Sequence, residues 1–345
     1  MNPSSTIRAR VPLRLDLAGS GTDLSPYCDA YGGVVLNTTI DRYAYAFIEP
    51  ADDGQVHFLA PDLDIAEHHP PDLAALDASA LPLHTGVLRR IAGLYTGGVL
   101  TPMRVTSYVD APPGSGLGSS SALVVALVSA FAALHTAPLG PYDVAHLAFE
   151  IERIDLQLAG GKQDQYAATF GGTNYIEFQA NDRVIVNPLR IAPAILNELE
   201  TSLVVCRTGI SARSASIIAE QQQRMTQATI GALDGLHQLK RDAIEMKEAL
   251  LRGQIARMAE IFNRSWIAKK QTASGISTGE IDRLYDLALA AGALGGKLSG
   301  AGGGGTLMFI VPPDRRLAVI RSLEAAGAAA HGVHFTGQGA ETWVV

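Results

Sequence analysis

The chain has 345 residues, of which 47% are hydrophobic and 18% charged, and these proportions exclude a chain that is disordered throughout. Its formal net charge of −7 argues against nucleic acid or an anionic membrane as a partner. Cys28 and Cys206 form no CxxC pair, which argues against a disulfide scaffold or thiolate zinc site and predicts a cytoplasmic protein. The apolar run 122–134 is shorter than the ~20 residues that cross a bilayer, and residues 1–14 lack a signal-peptide pattern.

The pattern of apolar residues predicts strands and helices in alternation. Strands are predicted over 7–17, 34–50 and 103–109, and helices over 84–95, from the serines at 119–121 to about 135, and over 143–158. Serine hydroxyls are expected to cap the second of these helices, and Asp143 the third. Residues 51–82 are expected to be loops with short elements. Further helices are predicted over 214–251, 254–270 and 279–291. A composition shift near 190–200 predicts two domains, 1–192 and 193–345.

The strongest motif lies between the strand 103–109 and the helix that follows it. Glycines there let the backbone curl around a phosphate, and the helix directs free N–H groups at the charge. No Gly-Lys-Ser/Thr follows, so this is not a Walker A loop, and a glycine-rich turn without a ligand is the alternative. The residues predicted to bind a nucleotide are Pro113, Gly114, Ser115, Gly116, Leu117, Gly118, Ser119, Ser120 and Ser121.

A second glycine run, residues 300–305, formally matches GxGxxG. A dinucleotide-binding fingerprint follows a strand and opens a helix, whereas this run precedes a strand. Alone it fits a bulge or a packing site. It becomes a nucleotide-site candidate, with Gly302 and Gly303, only as a second wall that faces the first loop.

Three carboxylates follow the first loop, namely Glu150, Glu152 and Asp164. Phosphoryl transfer from ATP requires a metal ligand and a group that orients the attacking hydroxyl, and Glu152 and Asp164 suit these roles. Glu150 and Glu152 lie on opposite edges of the apolar stripe, so helical periodicity does not decide which of the two is the metal ligand. A solvated surface position is the ordinary alternative for each.

Four other residues carry polar groups at unusual places. Arg14 lies within the first predicted strand, where it must point outward or pair with an acidic group. Lys162, beside Asp164, has either an electrostatic or a plain surface role. Thr22 and Asp23 follow a glycine turn and either bind sugar hydroxyls or serve the turn itself.

These pieces, in this order, resemble the GHMP kinase superfamily, named for galactokinase, homoserine kinase, mevalonate kinase and phosphomevalonate kinase. The matching segments are PLRLDLAGSGTDL with GGVVLNTTIDRYAYA, then PPGSGLGSSSA, then KLSGAGGGGTLMF. Within the superfamily, IERIDLQLAGGKQDQYAATFGG and GISARSASII resemble the D-glycero-D-manno-heptose 7-phosphate kinases. Galactokinases carry Glu-His before Thr-Asp where this chain has Ser20-Gly21, which argues against galactose as the substrate.

The resemblance implies a two-domain α+β fold, with one half like ribosomal protein S5 domain 2 and the other ferredoxin-like. Lys162, beside Asp164, is included among the predicted catalytic residues, and the resemblance implies ATP in the cleft and Asp164 as the catalytic aspartate with Arg14 beside it. It places Glu152, and not Glu150, on the magnesium-binding glutamate. Either Ser120 or Ser121 falls on the magnesium-binding serine. Thr22, Asp23, Gly161, Asp164 and Arg213 are the implied substrate-binding residues.

The implied reaction is MgATP-dependent phosphorylation of the anomeric C1 hydroxyl of the heptose 7-phosphate, for nucleotide-activated heptose and surface polysaccharide. Arg213 is the candidate for holding the 7-phosphate, and Lys162 is the alternative. The alternatives to the reaction are another sugar 1-kinase (fucose or a mannose-like sugar), a sugar sensor, and a diphosphomevalonate decarboxylase. The predicted partner is a small sugar phosphate, and a homodimer stays open.

Overall fold

The computed structural model describes residues 6–209, 214–227, 229 and 231–345. Its first sheet is built around two long strands, β1 (Ile7–Ala18) and β2 (Gly33–Pro50), which pair in antiparallel. The remaining strands of this sheet are β3 (Val56–Ala60), β4 (Ile65–His69), β5 (Met103–Val109), β6 (Thr173–Phe178), β7 (Val184–Pro188) and β12 (Glu341–Val344). The strand order is β12-β1-β2-β5-β3-β4, and β6 joins β2 and carries β7.

The second sheet has four antiparallel strands in the order β11-β8-β10-β9. These strands are β8 (Leu203–Arg207), β9 (Gly295–Leu298), β10 (Thr306–Ile310) and β11 (Ala329–His331). Helices join β8 to β9 and β10 to β11. This is the strand order of a ferredoxin-like unit, as the resemblance implies.

The helices cover these sheets and connect their strands. In chain order they are α1 (Tyr27–Tyr31), α2 (Pro82–Tyr95), α3 (Ser119–Leu134), α4 (Pro141–Glu150), α5 (Gln163–Phe170), α6 (Pro193–Ser202), α7 (Ser214–Thr226), α8 (Ala232–Leu251), α9 (Ile255–Thr272), α10 (Gly279–Ala290) and α11 (Arg316–Ala325). α3 is apolar on all sides because it packs between β1 and β2 on one side and α2, α4 and α5 on the other. No helix within the described ranges is long and apolar enough to cross a membrane.

The structure corrects the predicted starts of α3 and α4. The N-cap of α3 is Gly118, with φ of 75° and no side-chain cap, so the serines do not cap this helix. α4 begins at Pro141 instead of 143, but Asp143 does take part in capping it, because its carboxylate accepts a hydrogen bond from the backbone N–H of the N-cap Gly140 at 2.8 Å. α4 also stops at Glu150, and residues Ile151–Asp155 form a single π-helical turn. Such turns shift the register of the side chains that follow.

The predicted division at 192/193 stays a prediction, and the two halves are interlocked. β12, from the end of the chain, pairs with β1 of the first sheet. Lys297 of β9 reaches Asp16 of β1, with its Nζ 2.8 Å from Oδ2 and 2.6 Å from the backbone oxygen. Both side chains are buried. Burial opposes ionisation of Asp16, but the ammonium groups of Lys297 and Lys269 hold its pKa below the ordinary value.

Replacing Lys297 by Met should lower the free energy of unfolding by about 3–5 kcal/mol, because it leaves the buried carboxylate of Asp16 without its partner. Urea denaturation measures this loss. The double variant Asp16→Asn with Lys297→Met should recover most of the stability, since no unpaired charge remains. A single variant as stable as the unmodified chain would contradict the inference.

Candidate active site

A cleft lies where the loop before α3 meets the loop between β9 and β10. Its cavity volume is about 210 Å³. Its walls also include the turn at 158–164 and one face of α7. The cleft therefore brings the two loops, this turn and α7 together around one space.

The two glycine-rich loops touch each other across the cleft. A Cβ on Gly116 would lie 2.5 Å from the carbonyl oxygen of Ser299, and Gly116 has φ of 75°. The hydroxyl of Ser299 donates to the carbonyl of Gly116 at 3.0 Å, and that of Thr306 donates to the carbonyl of Ser115 at 2.8 Å. Only glycine allows this approach, so the second loop is indeed a wall facing the first.

The members of the second loop that face the cleft are Gly300 and Ala301. Gly303 instead donates its N–H to the carbonyl of Ile276 at 2.9 Å, and a Cβ on Gly302 would lie 2.9 Å from the Ile276 side chain. Gly302 and Gly303 therefore do not line the cleft, and their role in nucleotide binding stays a prediction. They hold the loop against residue 276.

The first loop presents alternate residues to the cleft. Gly114, Gly116 and Gly118 line it, followed by Ser119, Ser120 and Ser121 at the start of α3. Ser115 and Leu117 are buried away from it, and Pro113 is not part of its wall. Because no side chain caps α3, its first N–H groups face the cleft as an anion site.

Arg14 and Asp164 form an ion pair at the floor of the cleft. Nη2 and Nε of Arg14 lie 2.7 and 2.9 Å from Oδ1 of Asp164, and Nη1 donates to the carbonyl of Gly116 at 2.6 Å. Arg14 is 3% exposed, whereas the Asp164 side chain is 23% exposed and faces the cleft. Asp164 also lies in the first turn of α5, where the helix dipole favours a carboxylate. The pair thus fixes the Asp164 carboxylate at the cleft surface.

Glu152 is fully buried beside the loop serines. Its Oε1 accepts a hydrogen bond from the hydroxyl of Ser120 at 2.9 Å, and its Oε2 accepts one from the amide of Gln165. The same amide donates to the hydroxyl of Ser121 at 3.1 Å. The π-helical turn delivers Glu152 to this place. Glu150 instead lies near Arg90 and His146 on the outer surface.

Asp23 and Gly161 meet on the opposite side of Asp164. The carboxylate of Asp23 accepts hydrogen bonds from the backbone N–H groups of Gly21 and Gln163, each at 3.1 Å. A Cβ on Gly161 would clash with this carboxylate. Burial, together with the nearby Asp164 carboxylate, raises the pKa of Asp23. Both residues line the cleft.

Two predicted site residues lie elsewhere. The Thr22 hydroxyl is used within the turn, where it donates to the carbonyl of Val34 at 2.8 Å and accepts from the Val34 N–H at 3.0 Å. The ammonium group of Lys162 lies 2.6 Å from Asp182 and 3.7 Å from Asp29, and Lys162 does not line the cleft. Neither residue lines the cleft, and their predicted roles in the site stay predictions. Arg213 lies outside the described residues.

The sequence reasoning missed Arg153, Gln165 and Lys269. Arg153 and Lys269 line the cleft, and Gln165 holds Glu152 from behind. Lys269 on α9 is buried, donates to the Ser20 hydroxyl at 3.2 Å and contacts the carbonyl of Gly300. Burial lowers its pKa to about 8. A lysine within the apolar stripe of a predicted helix was the only signal for it.

Comparisons with known proteins show the family to which this chain belongs. The family model for the GHMP kinases N terminal domain matches residues 83–172, and the model for the GHMP kinases C terminal matches residues 246–329. The D-glycero-alpha-D-manno-heptose 7-phosphate kinase of Campylobacter jejuni is 42% identical over 339 residues, covering 98% of this chain and 99% of that protein. This chain is a GHMP kinase.

Solved structures support the same family. A protein of Bacteroides thetaiotaomicron named D-glycero-D-manno-heptose 1-phosphate kinase superposes with a TM-score of 0.83 at 40% identity, covering 98% of this chain and 99% of that one. The galactokinase of Lactococcus lactis in complex with galactose shares the fold at 18% identity, with a TM-score of 0.75 over 97% of this chain and 95% of that one. The predicted two-domain α+β fold of this GHMP kinase is confirmed.

Proposed function

We propose that this GHMP kinase transfers the γ-phosphoryl group of ATP to the anomeric C1 hydroxyl of D-glycero-D-manno-heptose 7-phosphate. The observation that carries the proposal is the ion pair of Arg14 with Asp164 beside the uncapped start of α3. In this pair the Asp164 carboxylate lies next to the backbone groups that would hold the transferring phosphate. The sugar is inferred from the similarity to the C. jejuni enzyme.

In this reaction Asp164 orients the C1 hydroxyl and receives its proton. The transition state of phosphoryl transfer is loose, so positioning matters more than early deprotonation. Arg14 holds the Asp164 carboxylate in place, and its positive charge offsets the negative charge that builds up on the transferred group. The first N–H groups of α3 hold the phosphate oxygens. The carboxylate of Asp23 and the close approach at Gly161 shape the sugar side of the cleft.

Magnesium belongs to the same proposal, with Glu152 and Ser120 as the residues that would hold it. Their hard oxygen atoms lie 2.9 Å apart at the cleft wall and suit this ion. Ser121 is the weaker choice of the two serines because its hydroxyl accepts the Gln165 amide. No cluster of three or more His, Cys, Asp or Glu side chains is arranged to hold a metal in the described part of the chain. Phosphate oxygens would have to complete the ligand set, and bound Mg²⁺ would neutralise charge on them.

The product would be heptose 1,7-bisphosphate, a precursor of nucleotide-activated heptose for surface polysaccharide such as a capsule. The cytoplasm, where ATP is available, is the proposed location, and the homodimer stays a prediction that sedimentation would test. The names of the two heptose kinases place the phosphate at different carbons, so both positions need testing.

Coupled ADP release with MgATP tests the proposal. The acceptors are heptose 7-phosphate, heptose 1-phosphate, mannose, mannose 6-phosphate, fucose and galactose. A strong preference for heptose 7-phosphate is expected. Preference for an unphosphorylated sugar would favour another sugar 1-kinase, and tight ATP binding without turnover on any sugar would favour a sensor.

Arg213 remains the predicted holder of the 7-phosphate from the sequence. Arg213→Ala should raise KM for heptose 7-phosphate about 10-fold or more, because a hydrogen bond to a charged group contributes about 1.5–3 kcal/mol. KM for unphosphorylated heptose should change little. Equal effects on the two sugars would contradict this role.

A further inference from the structure

The cleft contains a guanidinium group that the proposed reaction has not used. Three cationic side chains line it within the described ranges, namely Arg14, Arg153 and Lys269. Arg14 is paired with Asp164, and Lys269 is 1% exposed and bonded to Ser20 and Gly300. The guanidinium of Arg153 donates through Nε and Nη1, and its Nη2 makes no hydrogen bond to any described residue.

The backbone around Arg153 holds its guanidinium in one place. Nε donates to the carbonyl of Gly161 at 3.2 Å, Nη1 donates to that of Leu158 at 3.4 Å, and Nη1 lies 3.7 Å from Oε1 of Glu152. The group also rests directly on Gly160, where an added Cβ would lie 2.2 Å from Cζ and 2.3 Å from Nη2. These contacts fix the Nε and Nη1 side of the guanidinium group, and the Arg153 side chain is 14% exposed. A planar donor fork held this way suits a phosphate.

The balance of charged side chains in the cleft also favours a phosphate ligand for Arg153. The acidic side chains that line the cleft are Asp23, Glu152 and Asp164, which formally offset the three cations. A substrate that already carries a phosphate dianion adds charge beyond that of ATP. The Nη2 group of Arg153 donates no hydrogen bond to an acidic side chain, so its N–H groups are free to bind such a dianion.

We propose that Arg153 binds a phosphate group of the reactants and that Gly160 is glycine because any side chain there would displace the guanidinium. This inference rests on the proposed sugar-phosphate kinase function. The sugar phosphate is the favoured source, because Gly161, which Arg153 contacts, also touches Asp23 and leads directly to Asp164. The nucleotide is the other source of the same chemistry.

Two variants test this in different ways. Arg153→Met removes the charge at similar length, and Gly160→Ala keeps the charge but moves the group. Arg190→Met is the matched control, since Arg190 is exposed and outside the cleft wall. Coupled ADP release gives KM and kcat for heptose 7-phosphate, unphosphorylated heptose and ATP. Calorimetry gives the affinity for heptose 7-phosphate alone and for ADP.

Arg153→Met should raise KM and Kd for heptose 7-phosphate about 10- to 100-fold. Values for unphosphorylated heptose and for ATP should stay within about threefold. Gly160→Ala should act in the same direction with a smaller effect, and Arg190→Met should resemble the unmodified enzyme. Raised ATP KM and ADP Kd, with unchanged sugar-phosphate binding, would support the phosphate contact but overturn the sugar as its source.

Unchanged binding of both sugar phosphate and nucleotide in Arg153→Met would overturn the proposal. The same measurements on the unmodified enzyme distinguish a wrong role for Arg153 from a wrong proposed function. If it neither binds nor phosphorylates heptose 7-phosphate, the proposed substrate is wrong, and the nucleotide measurements then decide the role of Arg153 alone.

Discussion

Replacing Asp164 by Asn should lower kcat with heptose 7-phosphate by about 10²- to 10⁴-fold, the usual contribution of a positioned general base. Asn keeps the shape of the side chain and can still contact Arg14. The Asn side chain cannot receive the proton of the attacking hydroxyl, and it lacks the negative charge that orients this hydroxyl. Coupled ADP release over a range of sugar concentrations measures the loss.

The Asp164→Asn variant needs a control for folding and for nucleotide binding. Asp182→Asn is a matched change, because Asp182 pairs with Lys162 outside the cleft wall. Asp182→Asn should keep kcat within about threefold, and Asp164→Asn should still bind ADP. A folded Asp164→Asn enzyme with near-normal kcat would exclude Asp164 as the catalytic group.

Glu152→Gln should raise the Mg²⁺ concentration needed for half-maximal activity by on the order of 100-fold, since a charged oxygen ligand is lost. The amide has the same size as the carboxylate, and Ser120 can still donate to its oxygen. ADP release at fixed ATP and varied Mg²⁺ gives the shift. Mn²⁺ binding in the presence of ADP, followed by electron paramagnetic resonance, gives a readout that does not depend on turnover.

Glu150→Gln is the natural comparison because Glu150 was the other carboxylate that helical spacing allowed. It lies 3.5 Å from Arg90 and 3.7 Å from His146, away from the cleft. Its Mg²⁺ dependence should match that of the unmodified enzyme. Equal shifts in both variants would show that the effect is not one of metal binding.

The choice between Glu150 and Glu152 shows where sequence reasoning stops. Periodicity assumes one helix through 143–158, whereas the structure changes from α to π geometry after Glu150. That change turns Glu152 and Arg153 toward the cleft, and no local residue pattern announced it. Only the family resemblance selected Glu152.

Contacts between distant parts of the chain could not be predicted from the sequence either. Local sequence patterns could predict the glycine-rich loop, helix α3 and the order of the site motifs along the chain. Glycine content and strand–helix alternation are properties of short stretches of sequence. Lys162 was expected near Asp164, but its ammonium pairs with Asp182 on the other side of the turn. Lys269 reaches Ser20 across 249 residues of sequence, and only the folded chain brings them together.

The most direct test of the central claim is the position of the new phosphate. The enzyme is incubated with MgATP and D-glycero-D-manno-heptose 7-phosphate, and the product is examined by phosphorus NMR with coupling to the sugar protons. A second phosphate coupled to the anomeric proton at C1 is the predicted result. Phosphorylation at another carbon, or ADP formation without a phosphorylated sugar, would contradict the account.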